Sequence, residues 1–310
     1  MLFVLPFLVM AIAFLSGYFS LESLQSVQVK GVINMAYINQ LDKSWLSAIG
    51  FVMVLGVAYL IFFLSERFKL LGQTTTLPSL IYILLTSGIM VNVGFDYLLI
   101  AVFIVTVAVW KLQMAINDTK SNGALYDFGF LIALSVAIYP KFILSIAWAF
   151  GVLFFSGRST LKDIVALWLG ILTPVLFIAF YYFWTDRLEL LPAIFTDNLM
   201  VGEHIHRLPV IDLVRLGIVL VLIIALTNLS ARYSLMIVNQ RRGILSLVSM
   251  MIFLSLTFVI IPGNYYDFMY MFAVPLSFLY AQYFICCRTA LFSNLVFVLL
   301  LSACFLTYLV

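Results

Sequence analysis

Charge is what this sequence lacks. Of its 310 residues, 16 are Lys or Arg and 13 are Asp or Glu, only 9% in all, where a soluble domain carries about a quarter. With 65% of residues hydrophobic, the chain is neither a soluble enzyme nor a disordered protein. A net charge of +3 makes no basic surface of the kind that binds nucleic acid, so no nucleic-acid partner is expected. Cysteine is scarce too. Cys286, Cys287 and Cys304 all lie in apolar runs without metal-ligand spacing, which argues against a disulfide framework or a zinc site. There is no glycine-rich phosphate loop or nucleophile elbow, and no internal repeat of the kind that marks inverted-repeat transporters. No linker or low-complexity tail is legible, which argues against a receptor with a separate binding domain.

What is present is hydrocarbon. Mean hydropathy is +1.19, and the apolar runs are continuous rather than alternating, so they read as helices and not as the strands of a membrane barrel. Lipid satisfies no backbone group, so each run should be helical. A bilayer core of about 30 Å takes about 20 residues per helix. Runs near 2–19, 44–64, 78–94, 96–115, 124–139, 142–156, 164–184, 213–230, 244–261, 268–285 and 289–309 meet or approach that length. The expected fold class is all-α: one integral membrane domain over 1–310, a polytopic bundle of about eleven spans, with the lipid bilayer as its first partner. The first run, Leu2 to Phe19, has no basic flank and no small-residue cleavage site, and reads as a retained span rather than a signal peptide.

Pro140 and Lys141 interrupt the run between Gly123 and Gly157. Proline breaks the helical ladder and lysine is costly at mid-bilayer depth. The spacing predicts two short helices or a re-entrant hairpin, with Lys141 at the turn. With eleven spans and an inner N-terminus, Arg67, Lys69, Lys111, Lys120, Arg158, Lys162, Arg232, Arg241, Arg242 and Arg288 fall inside. Lys30, Lys43, Lys141, Arg187, Arg207 and Arg215 fall outside. That is the bias of cytoplasmic loops, and it predicts a cytoplasmic N-terminus and an outer C-terminus.

Two outer loops are long, 20–43 and 185–212, and most acids lie on their side, Glu22 and Asp42 among them. Carboxylates gathered on one face can supply a general base or hold a divalent cation. They also simply make loops polar. In the second loop stands Glu203-His204-Ile205-His206-Arg207, with the only two histidines of the chain. His204 with Glu203 is a candidate metal site, and His206 with Arg207 is a candidate grip for a phosphate or carboxylate. A solvated loop is the plainer reading of the same residues. Asp127 and Lys141, near the ends of the fifth and sixth runs, are candidate substrate-binding groups, because charges at membrane depth are functional hypotheses by default. Helix capping and snorkelling explain them and Asp96 as well. Aromatic clusters such as Phe180-Tyr181-Tyr182-Phe183-Trp184 read as an interfacial belt, and Ala133/Ala137 and Ala147/Gly151 as close helix packing.

Several stretches resemble an uncharacterised family of multi-spanning membrane proteins of Bacteroidota. They are Leu77-Pro78-Ser79-Leu80-Ile81-Tyr82, Tyr126-Asp127-Phe128-Gly129-Phe130-Leu131-Ile132, Tyr139-Pro140, Leu169-Gly170-Ile171-Leu172-Thr173-Pro174, Pro275-Leu276-Ser277 and Ala281-Gln282-Tyr283-Phe284. This resemblance implies a bacterial inner membrane. The layout also resembles the GT-C-type membrane glycosyltransferases, which have long outer loops after the first and seventh spans. That second resemblance implies envelope-glycan assembly from a polyprenyl-phosphate-linked sugar. Glu22 or Asp42 would be the base, and Arg207 with His204 and His206 the phosphate or metal site. No Asp-Asp or Asp-Glu pair follows the first run, where many such enzymes have one. Two other readings stand beside it: a non-enzymatic membrane subunit of an envelope biogenesis or export complex, with a membrane-protein partner, and a small-solute transporter built around Asp127, Lys141 and the broken fifth and sixth runs.

Overall fold

A computed structural model describes residues 32, 43–93, 96–118, 121–200, 209–261, 265–287 and 289–306. In chain order the helices are α1 (Lys43–Phe68), α2 (Leu77–Val93), α3 (Tyr97–Asn117), α4 (Asn122–Ile138), α5 (Leu144–Ser156), α6 (Leu161–Trp184), α7 (Leu190–Met200), α8 (Pro209–Arg232), α9 (Val238–Ile260), α10 (Tyr265–Cys286) and α11 (Ala290–Leu306). Short 3-10 turns, Pro140–Ile143 and Tyr233–Leu235, precede α5 and follow α8.

The expected count of spans is corrected. Among the described residues six helices are long and apolar enough to cross a membrane: Ala48–Phe68, Tyr97–Asn117, Leu161–Trp184, Leu216–Leu235, Val238–Ile260 and Met269–Cys286. The runs read as spans at 78–94, 124–139, 142–156 and 289–309 form shorter apolar helices, Leu77–Gly88, Asn122–Ile138, Pro140–Ser156 and Leu291–Cys304. A 17-residue helix such as α4 reaches only about 25 Å at 1.5 Å per residue, less than the hydrocarbon core. The run at 2–19 lies outside the described residues. The protein is thus an all-α polytopic membrane bundle with six helices of spanning length among the described residues.

Local chemistry sets those lengths. α4 stops at Ile138 because Pro140 forces the preceding Tyr139 into extended backbone (φ −130°, ψ 92°). Lys141 then sits in the turn between α4 and α5, where the sequence put it. α5 ends on Gly157, left-handed at φ +73°, a conformation that a side chain would strain. α6 begins with a reciprocal cap in which Thr160 and Asp163 satisfy each other's backbone N–H. Asp96 caps α3 by accepting from the Leu98 N–H.

Burial ranks the spanning helices. The α10 span is 78% buried and lies at the centre, whereas the α6 and α8 spans are 22% buried and present most of their surface outward. α4 and α6 meet through glycine: a Cβ at Gly129 would stand 2.6 Å from the Leu167 carbonyl oxygen, and one at Gly170 would overlap the Tyr126 carbonyl. Bare backbones approach closely here, as small residues permit in membranes. The Tyr126 and Thr173 hydroxyls close the same contact at 3.0 Å.

Candidate functional site

The helix ends gather into two polar layers. At one end Arg158 reaches across from the start of α6. Its guanidinium donates to the carbonyls of Asp118 (3.1 Å) and Ser121 (3.4 Å) and to Asn122 Oδ1 (3.2 Å). It also pairs with Asp163 at 2.9 Å, both side chains being almost wholly buried. Gln113 on α3 donates to Ser246 Oγ at 3.0 Å on α9. Gln240 donates to the Lys69 carbonyl, the Arg242 guanidinium lies against Gly157, and Arg241 stacks over Tyr233. Thus the C-terminal ends of α1, α3, α5 and α8 and the N-terminal ends of α4, α6 and α9 share one basic layer.

Asp127 lies in this layer. Its carboxylate pairs with Lys111 at 2.7 Å across the α3–α4 contact, with both side chains partly exposed. Lys141 lies at the other end, 6% exposed. The two charged candidates of the fifth and sixth runs are therefore not brought together.

The Lys141 end holds a described part of each long loop. Val32, from the first, donates its N–H to the Ala137 carbonyl at the end of α4 (2.9 Å). Its own carbonyl accepts from the Tyr182 hydroxyl at the end of α6 (2.7 Å). α7, from the second, packs on the Pro140–Ile143 turn. Glu22, Asp42, Glu203, His204, His206 and Arg207 lie outside the described residues. Among the described residues no group of three His, Cys, Asp or Glu side chains is placed to hold a metal ion.

Several structural residues went unread in the sequence. The Thr160-x-x-Asp163 capping signature before an apolar run was legible, and it marks the partner of Arg158. Tyr182 was read only as part of an aromatic belt. Its neighbours Tyr181, Phe183 and Trp184 are exposed, but Tyr182 turns inward and holds Val32. No local signal distinguishes Gly129 and Gly170 from the other glycines, because their partners lie on a different helix.

Buried backbone contacts, two polar layers and, among the described residues, six helices long and apolar enough to span define an all-α, multi-pass membrane protein. The profile of a family of unknown function, DUF6427, matches residues 10–310, and the chain belongs to that family. No curated protein and no solved structure matches it.

Proposed function

We propose that the protein is a GT-C-like glycosyltransferase of a bacterial inner membrane, and that its Lys141 end faces the periplasm and takes sugar from a polyprenyl-phosphate carrier for envelope glycans. The observation that carries this reading is that Val32, bonded to Ala137 and Tyr182, and α7, packed on the Pro140–Ile143 turn, fix one point of each long loop at the end of the bundle where Lys141 is buried. In this scheme Glu22 or Asp42 takes the proton of the acceptor hydroxyl. The acceptor oxygen bonds to the sugar C1, and the carrier phosphate leaves with the electrons of the broken bond. Lys141, Arg207 and His206 stabilise the charge on that phosphate. Glu203 and His204 would hold a divalent cation if the reaction takes one.

Transfer of labelled sugar from the lipid carrier in membrane vesicles tests the roles. Glu22→Gln or Asp42→Asn is expected to lower the rate about 100-fold or more, the usual share of a general base. Lys141→Met and Arg207→Met are expected to weaken use of the carrier. Unchanged transfer and unchanged envelope glycans in all four variants would end the enzymatic reading.

Orientation has its own test. The basic layer is assigned to the cytoplasm on the bias of basic residues toward that side. Cys287 follows the last residue of the α10 span and feels the charge of Arg232. Partial burial pushes its thiol up, but hydrogen bonding with Thr289 and Tyr283 and the Arg232 charge outweigh burial and hold it below the ordinary thiol range. With Cys286 and Cys304 replaced by serine, an impermeant maleimide is expected to label Cys287 in inside-out vesicles and not in intact cells. The reaction should set in at a lower pH than for a free thiol. Labelling in intact cells would invert the topology.

A further inference from the structure

The corner between α8 and α9 is bare of acids. No carboxylate stands between Asp212 and Asp267, whereas Arg232, Arg241 and Arg242 do. Two residues, Met236 and Ile237, join the spanning segments Leu216–Leu235 and Val238–Ile260, so the corner lies where the hydrocarbon ends and the headgroups begin. Arg232 ends α8 and Arg241 stands three residues into α9, about 4.5 Å along it at 1.5 Å per residue. Long side chains from both positions reach the headgroup level.

Arg241 is held in place by neutral groups. Its Nη2 donates to the Met236 carbonyl at 3.1 Å, and its Cζ lies 5.1 Å from the centre of the Tyr233 ring. Tyr233 adjoins Arg232, so both arginines belong to one corner. Lys69 comes to the same place, because its carbonyl accepts from Gln240, the residue before Arg241. Elsewhere in the basic layer charge is matched, Lys111 by Asp127 and Arg158 by Asp163. Among the described residues none of Lys69, Arg232 and Arg241 has a carboxylate partner. Glu66, the acid near the end of α1, is exposed and pairs with none of them. Unmatched cations at headgroup level attract an anion, and arginine suits a phosphate above all.

The same corner is apolar on its outside. Leu235 is 79% exposed and Ile237 is 70% exposed, one on each side of Met236. Ile237 is also the N-cap of α9 and has no side-chain oxygen for the first-turn N–H groups, which adds to the pull on an anion.

We propose that this corner binds the phosphate of an anionic glycerophospholipid, with the phosphodiester against Arg232 and Arg241 and the glycerol and upper acyl chain against Leu235 and Ile237. A free phosphate would use the arginines and gain nothing from the apolar pair. The proposal rests on the membrane-spanning class alone and is independent of sugar transfer.

Native mass spectrometry of the full chain, released from detergent with phosphatidylglycerol or with phosphatidylcholine of the same acyl chains, reads the site. Phosphatidylglycerol is expected to be retained the more tightly. Arg232→Gln removes a side chain that makes no hydrogen bond or ion pair among the described residues, so the fold keeps its contacts. It is expected to lower the affinity for phosphatidylglycerol about 5-fold, the effect of one cation at a membrane surface. Arg241→Gln is expected to do at least as much, and Arg241→Lys less. Leu235→Ser with Ile237→Ser should weaken phosphatidylglycerol as well, and excess inorganic phosphate should not displace it. Lys162→Gln, which removes an exposed cation at the start of α6, should change nothing. Equal retention of the two lipids, or an equal loss with Lys162→Gln, would overturn the proposal. Displacement by inorganic phosphate, with no effect of the double serine variant, would show a site for free anions and overturn the lipid. A dimer that the double serine variant dissolves would assign the corner to a second copy of the chain and overturn it too.

Discussion

Gly170→Ala is expected to destabilise this protein strongly, and more than Gly129→Ala or Gly123→Ala. A Cβ at position 170 would overlap the Tyr126 carbonyl and stand 3.0 Å from its carbon and 3.1 Å from the Phe130 nitrogen. Those atoms are helix backbone, so no side-chain rotation relieves the clash, and α6 must move off α4. Pro174 stands one turn on. It has no N–H to return to the Gly170 carbonyl, so α6 can adjust there only by losing more of its contact. Gly129→Ala is the milder case, with the Leu167 carbonyl oxygen 2.6 Å away and the Leu167 side chain at 3.1 Å. Overpacking of this kind costs about 1–3 kcal/mol and occasionally more. Gly170→Ala is expected at the upper end or beyond it, and Gly129→Ala within the range. Gly123, on the same helix, has nothing within 4 Å of its would-be Cβ. Gly123→Ala should therefore raise the thermal midpoint slightly, by the helix-propensity difference of about 0.5–1 kcal/mol. Thermal unfolding of the three variants in one detergent decides the matter. Equal midpoints would show that glycine at 129 and 170 is not what holds α4 to α6.

These glycines also show where the sequence stops being readable. Hydropathy marks an apolar run without marking its helix length, and the difference lay in caps and turns. Pro140, Gly157 and the Thr160–Asp163 cap cut one long apolar stretch into pieces, two of which are too short to cross the hydrocarbon core. Polarity was legible where a charge had to find an end: Lys141 does sit in a turn, and Lys111, Arg158, Arg241 and Arg242 do collect in one layer. Contacts between distant segments were not legible. Nothing near Val32 foretells that its backbone is clasped between Ala137 and Tyr182, because both partners are more than a hundred residues away. The acids and histidines of the long loops remain candidates on sequence grounds.

The other large effect is expected at Arg158. Its guanidinium is buried with Asp163 and also satisfies two carbonyls and one side-chain oxygen of the connection between α3 and α4. Arg158→Met leaves the Asp163 carboxylate buried without its counter-ion, and breaking a buried pair from one side costs about 3–5 kcal/mol. Asp163→Asn keeps an oxygen for the Thr160 cap and removes the charge, so the arginine keeps its three bonds to the connection while its charge goes unmatched. The two variants should therefore differ in kind. Arg158→Met is expected to lower the thermal midpoint and to raise hydrogen exchange around residues 118 and 121–122. Asp163→Asn should lower the midpoint with little change there. The double variant Arg158→Met/Asp163→Leu removes both buried charges together. It should regain the share of stability that one stranded charge costs and not the share held by the loop bonds or by the lost cap. If Arg158→Met alone leaves both the midpoint and the exchange of the connection unchanged, this residue does not hold α6 to the α3–α4 corner. The basic layer would then rest on its other contacts, the Gln113–Ser246 and Gln240–Lys69 bonds and the Lys111–Asp127 pair.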